Sequence, residues 1–196
     1  MRTELLIVDD FYSHPVEVYE WAKTLEFFDN YGNHPGVRTK EVQDPSVKNA
    51  IQHIIQNAGG QITNWEDMQY NGCFNACTSM DRTWIHADQY NEWAAVVYLN
   101  PNPHSLQAGT GLFRHIETGY DRVPRNEDGS INHEILDVIY KDSTDWTRWE
   151  MTDYVANKFN RFVTYRGDLF HSAVNYFGNS FDNARFHQTF FYNTER

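Results

Sequence analysis

Cysteine is nearly absent from this chain of 196 residues: there are two, Cys73 and Cys77. They fall in a segment that alternates like a β-strand, which would hold them roughly 13 Å apart, beyond disulfide reach. Two ligands at that spacing make no zinc site either. Free thiols suit a reducing compartment, so the expected location is cytoplasmic. Basic residues are scarce too: 16 Lys and Arg stand against 27 Asp and Glu, a formal net charge of −11. The cations are scattered singly, and an acidic chain repels a phosphate backbone, so no nucleic-acid partner is expected. No apolar run approaches the roughly 20 residues of a membrane span. The start, MRTELLIVDD, is charged too early for a signal peptide. No Asn-x-Ser/Thr glycosylation acceptor occurs.

What is plentiful is aromatic: 16% of residues are Phe, Trp or Tyr. Together with abundant Asn this suits a β-rich fold with polar turns rather than a helical bundle. The length fits one domain with a full core. Residues 5–8 read as a first strand. Pro15 opens a helix running to about Leu25, with Val18, Trp21, Ala22 and Leu25 on one face. A turn-rich stretch, Asn30 to Lys40, follows and carries an exposed-looking Arg38. Asp44 caps a second helix with Pro45 at its first position and Val47, Ile51, Ile54 and Ile55 as its buried stripe, stopped at Gly59-Gly60. Alternation then takes over. Met68, Tyr70, Gly72, Phe74 and Ala76 share one face of an expected strand, and residues 94–99 form an apolar run that Pro101 and Pro103 end. Gly109-Thr110-Gly111 opens a strand at 112–116. Strands resume at 161–165, 169–174 and 185–192. Residues 117–158 break the rhythm with acidic residues, a helix at 131–140, Trp146 and Trp149, and so suit a lid or binding loop. The expected division is an N-terminal strand and helices at 1–60, a jelly-roll core at 61–116 and 159–196, and an insertion at 117–158. The pattern is that of a mainly β sandwich or barrel buttressed by N-terminal helices.

The chemistry-bearing residues begin at His86-Ala87-Asp88. On a strand, residues i and i+2 share a face about 7 Å apart, so an imidazole and a carboxylate aim at one point. That pair is two thirds of a 2-His-1-carboxylate triad for non-haem iron, although His-x-Asp is also common in solvated turns. His171, among apolar neighbours after the turn Arg166-Gly167-Asp168, is the best candidate for the third ligand; a core histidine is the plainer reading. Farther on, Arg185, His187 and Thr189 share a strand face. A buried arginine needs an anion, and its planar guanidinium grips a carboxylate bidentately. That carboxylate could be a guest or one of the chain's own acids.

His86-x-Asp88, then Tyr98-Leu99-Asn100, then the strand GTGLFRH, then His171, then Arg185 with Thr189 four residues on, resembles the Fe(II)/2-oxoglutarate-dependent dioxygenase superfamily. The order, and the YLN after HxD, are most similar to its prolyl-4-hydroxylase-like branch. The resemblance implies a double-stranded β-helix, the jelly roll or cupin-like barrel, with iron bound by His86, Asp88 and His171. It implies that Arg185 pairs with the distal carboxylate of 2-oxoglutarate, with hydrogen bonds from Tyr98 and Thr189. The implied reaction is a hydroxylase's: O2 and 2-oxoglutarate are consumed, succinate and CO2 are released, and ascorbate serves as an accessory reductant. An unactivated C–H bond of a peptidyl or free amino acid is the expected target. Arg114, Arg38 and His187 are candidate substrate contacts, and the partner is a small molecule or peptide. The sequence sets no oligomeric state. Two departures stand out: a long His171–Arg185 gap, which suggests an extended hairpin at 175–183, and GTG in place of a GG-acid pattern. The competing expectation is a cupin-like module that binds a metal or sugar without catalysis.

Overall fold

The computed structural model describes residues 2–29, 34–102 and 106–195. Residues 30–33 of the turn-rich stretch, and Pro103, lie outside them. In chain order the elements are β1 (Leu5–Val8), α1 (Pro15–Ala22), β2 (Phe28–Asp29), β3 (Val37–Arg38), α2 (Pro45–Ile55), β4 (Gln61–Asn64), β5 (Phe74–Cys77), β6 (Trp93–Tyr98), β7 (Thr110–His115), α3 (His133–Lys141), β8 (Trp149–Val155), β9 (Phe162–Arg166), β10 (His171–Ala173) and β11 (Arg185–Glu195). They build two antiparallel sheets. The larger runs β1-β9-β6-β11-β5-β3-β2, with β4 also on β11, and the smaller runs β10-β7-β8. The fold is mainly β, a jelly roll buttressed by the N-terminal helices.

β6 shows why its sequence is apolar without interruption. Ala95 and Val97, with Leu99 just beyond the strand, face a core shared with Ala22, Val47, Ile51 and Ile55 of the two N-terminal helices. Ala94, Val96 and Tyr98 face the other way, into a core shared with Leu112 and Val155 of the smaller sheet. A strand covered on both faces has no solvent side on which to place polar residues. α2 forms as its sequence predicts: Asp44 accepts a hydrogen bond from the Ser46 amide, Pro45 holds the first position, and Val47, Ile51 and Ile55 are buried.

Four expectations need correction. Residues 66–72 form turns rather than a strand, and Tyr70 has φ of 63°. Strand β5 therefore starts only at Phe74. The segment holding His86 is extended but makes a single bridge, to His171, and no ladder. The 175–183 gap is not a hairpin, because β10 and β11 belong to different sheets and the chain must cross between them. Finally, the segment 117–158 ends in β8, which pairs along β7, so its last residues complete the smaller sheet.

β1 is tied to its neighbour by charge at its end. Asp9 accepts from Arg161 Nε at 2.7 Å and Nη2 at 3.1 Å, and from Lys158 Nζ at 2.7 Å. These cations hold its carboxyl well below the usual carboxylate range. A carboxyl depressed by folding stabilises the native state above its unfolded pKa, near 4, and the contribution is lost as pH falls from there. Because the group is partly exposed, Asp9→Asn is expected to cost only about 1 kcal/mol at pH 7. In urea denaturation the gap from wild type should stay constant from pH 7 to about 5 and narrow below about pH 4. A gap that persists unchanged at pH 2.5 would show that the loss is not ionic.

Candidate active site

The alternation of β11 sets the floor of the site. Arg185, His187, Thr189 and Phe191 point to one side, into a cavity of about 690 Å³ between the sheets. The intervening Phe186 and Phe190 pack toward the helices. Register extends this floor across the sheet: Arg38 opposes Asn75, Asn75 opposes His187, and His187 opposes Tyr98. Directly paired residues share a face, so one row of four strands turns polar side chains toward the same interior.

The three candidate metal ligands sit at the other wall. His86 and His171 exchange both backbone hydrogen bonds, at 3.0 and 2.8 Å, which brings their rings to 4.4 Å between centroids. The Asp88 amide donates to Gly167 O at 2.7 Å, and its carboxylate oxygen lies 3.3 Å from His171 Nε2. One ligand atom from each of His86, Asp88 and His171 lies within 4.8 Å of the others. His86 Nδ1 is 3.1 Å from Trp84 O, and His171 Nδ1 is 2.9 Å from Leu169 O. A carbonyl can only accept, so each Nδ1 carries a proton, which leaves each Nε2 as the atom turned toward a metal. Burial, and then the neighbouring His171, push His86 down to about 4, which keeps its ring neutral. Burial works against ionisation of Asp88, but the adjacent His171 outweighs it and holds the carboxyl below its ordinary value. Two imidazoles turned by their Nδ1 contacts to present Nε2, and one carboxylate beside them, fit a divalent transition metal.

Gly167 makes this approach possible. A Cβ there would stand 2.3 Å from Asn91 O and 3.0 Å from Asp88 O. The tripeptide Arg166-Gly167-Asp168 is thus a packing turn. Arg166 is paired with Glu92, and Asp168 lies 3.6 Å from Arg2 and 3.8 Å from Arg122.

Arg185 is 2% exposed. Its Nε donates to Ala108 O at 2.7 Å and its Nη1 to His187 Nδ1 at 3.0 Å, and its guanidinium lies 5.3 and 5.6 Å from the Tyr98 and Tyr176 ring centres. No carboxylate among the described residues lies within ion-pair distance of it. An arginine buried on neutral partners alone leaves its charge uncompensated, a costly arrangement unless an anion arrives. Because arginine always donates, His187 Nδ1 is the acceptor and its Nε2 carries the proton. Burial, then Arg185, hold His187 far below its ordinary pKa.

The other candidates fare differently. Thr189 borders the cavity, and its hydroxyl oxygen accepts from Asn75 Nδ2 at 3.2 Å. Tyr98 stands behind the cavity wall, its ring 5.3 Å from the Arg185 guanidinium, and its hydroxyl donates to Thr110 Oγ1 at 2.7 Å. Thr110 does border it and keeps its own proton to donate inward. Arg114 needs correction. It projects from the outer face of β7, exposed and paired with Glu150 directly across β8, away from the cavity. Its neighbour His115 is buried elsewhere, between Thr118 and Asp142. Arg38 is neither exposed nor in a loop: it lies on β3, 6% exposed, over the Tyr70 ring, and borders the cavity. Thr110, His34, Trp84, Tyr165 and Tyr176 line the cavity without having been singled out. The GTG turn was a signal for Thr110; His34 lies in a stretch without periodicity and left none.

Solved structures share this fold. HygX from Streptomyces hygroscopicus with nickel, 2-oxoglutarate and hygromycin B bound matches with a TM-score of 0.61 at 12% identity, over 98% of this chain and 83% of that one. HygX with iron bound matches at 0.53 and 12% identity, over 98% and 82%. EctD from S. alaskensis in its apoform matches at 0.52 and 13% identity, over 98% and 74%. At such identities the likeness is one of fold. No curated protein matches the chain. A family model matches residues 1–177, and the chain therefore belongs to the Family of unknown function (DUF6445).

Proposed function

We propose that this protein is an Fe(II)- and 2-oxoglutarate-dependent oxygenase that hydroxylates an unactivated C–H bond, in the manner of prolyl hydroxylases, on a free or peptidyl amino acid. The observation that carries the proposal is one cavity bordered both by three convergent candidate metal ligands and by a buried arginine with no acid partner among the described residues. His86, Asp88 and His171 would hold the iron. Arg185 would take the distal carboxylate of 2-oxoglutarate, with Thr110 offering a hydroxyl from the opposite sheet; Thr189 stands about 13 Å farther along β11. When bound, the metal and co-substrate supply the oxidising power, with O2 consumed, succinate and CO2 released, and ascorbate as an accessory reductant. The chain supplies the rest. The carbonyls of Trp84 and Leu169 fix the imidazole tautomers, and His187 locks one edge of the Arg185 fork. The aromatic walls limit water around the reacting centre. HygX, which holds 2-oxoglutarate with nickel in the same fold, supports this reading. A cytoplasmic setting is supported by the two free, buried thiols. No helix among the described residues is long and apolar enough to cross a membrane.

The test is direct. Anaerobic protein given Fe(II) and 2-oxoglutarate should develop a visible charge-transfer band, and admission of air should convert 2-oxoglutarate to succinate. Protein that binds iron yet shows neither band nor succinate would count against an oxygenase and for a binding module.

A further inference from the structure

Tyr98 and Tyr192 are fully buried, and both spend their hydroxyls on the protein. Tyr98 donates to Thr110 Oγ1 at 2.7 Å, and Tyr192 shares a 2.7 Å bond with Thr164. Tyr165 does not follow them. It is 3% exposed and borders the cavity, yet its hydroxyl makes no hydrogen bond among the described residues. A buried phenol ordinarily finds a partner, so one that finds none in the protein and opens on a cavity is placed for a guest.

The alternation of β9 puts the hydroxyl there. Phe162 packs toward the helices, while Val163 and Tyr165 turn into the interior between the sheets. In register Tyr165 stands opposite Ala94 of β6, whose small side chain leaves room for the ring. The ring lies against that of His171, 4.7 Å between centroids. Asp88 and Arg185 are both near enough to act on the hydroxyl electrostatically. The phenol thus stands between the candidate metal ligands and the proposed co-substrate arginine, on the side of the ligands. Tyr98, by contrast, has its ring beside Arg185.

We propose that Tyr165 is a co-substrate-binding residue, its hydroxyl donating a hydrogen bond to the carboxylate of 2-oxoglutarate at the metal end. This rests on the oxygenase reading and deepens it. The resemblance assigned a tyrosine contact to Tyr98, whose proton Thr110 takes; the phenol that remains open comes from β9 instead. A phenol suits this position because it is protonated and uncharged at neutral pH. It binds an anion without adding a cation beside the metal, and a hydrogen bond to a charged acceptor is stronger than one between neutral groups.

The experiment titrates 2-oxoglutarate by calorimetry into the full chain loaded with nickel, as wild type, Tyr165→Phe and Tyr98→Phe. Tyr165→Phe is expected to weaken binding about tenfold or more, as for a lost hydrogen bond to a charged group, and Tyr98→Phe by less than about threefold. Thermal melts of the metal-free proteins should give the opposite order. Tyr165→Phe loses no bond within the protein and should melt no lower than wild type, whereas Tyr98→Phe loses its bond to Thr110 and should melt lower. With Fe(II) and 2-oxoglutarate under anaerobic conditions, the charge-transfer band of Tyr165→Phe should move to shorter wavelength, because the lost donor no longer draws electrons from the bound keto acid. The proposal is overturned if Tyr165→Phe binds 2-oxoglutarate as wild type does, if its band stays at the wild-type wavelength, or if its metal-free form melts well below wild type, which would make the hydroxyl structural. Wild-type protein that takes up nickel but no 2-oxoglutarate would instead overturn the oxygenase reading itself.

Discussion

Arg185→Gln is expected to weaken 2-oxoglutarate binding to the metal-loaded protein at least a hundredfold while costing the apo protein little stability. The asymmetry follows from the site's charge. In the apo protein Arg185 is a buried cation on neutral partners, Ala108 O and His187 Nδ1. Removing such a charge relieves desolvation as well as losing hydrogen bonds, so the two effects offset. With the co-substrate bound, the same residue becomes half of a buried ion pair. Removing one partner of such a pair typically costs about 2–5 kcal/mol, a factor of a hundred or more near the middle of that range. Calorimetry with 2-oxoglutarate and thermal melts with and without it would separate the two. If the variant melts far below wild type but binds 2-oxoglutarate equally well, Arg185 is a structural residue and the assignment fails.

Removing a metal ligand should have an effect of similar size without unfolding the site. In His86→Ala the backbone bonds between residues 86 and 171 survive, because they involve only main-chain atoms. The Asp88 amide also keeps Gly167 O. The frame therefore stays while the lone pair is lost, and nickel or iron affinity is expected to fall more than a hundredfold, beyond the 10–100-fold typical of losing a residue behind a ligand. His171→Ala should behave alike. Metal content after dialysis, together with calorimetric titration of nickel, reads this out. Retention of wild-type affinity in His86→Ala would remove that residue from the site.

Much of this arrangement could be read from residue order because it depends on period. The two-residue period of β11 placed Arg185, His187 and Thr189 on one face, and the uninterrupted apolar run of β6 announced a strand covered on both sides. The caps and stripe of α2 were legible for the same local reasons. What could not be read was whatever depended on a partner distant in sequence. Tyr98 faces the expected side, but nothing in its own segment announces Thr110, which arrives from the opposite sheet and accepts its hydroxyl proton. Arg114 lies within a strand whose inner and outer faces are decided only by how the two sheets pack, and Glu150 on the neighbouring strand claims it. Arg38 read as exposed because its neighbours are turn formers, whereas β5 pairs with that short segment and buries it. The turn at 66–72 shows the same limit in reverse, since a spurious alternation of apolar residues imitates a strand that the backbone never forms.

Gly167 changes how the family's sequences should be compared. Asp88 reaches His86 and His171, the proposed metal position, because another part of the chain has no side chain where the two backbones meet. Any substitution there must push aside the turn at 88–91, and the ligand with it. A relative could therefore keep both histidines and the aspartate, letter for letter, and still have lost the site. Conversely, inheritance of the activity would be tracked better by four positions than by three, the fourth being the one that contributes no atom to the chemistry.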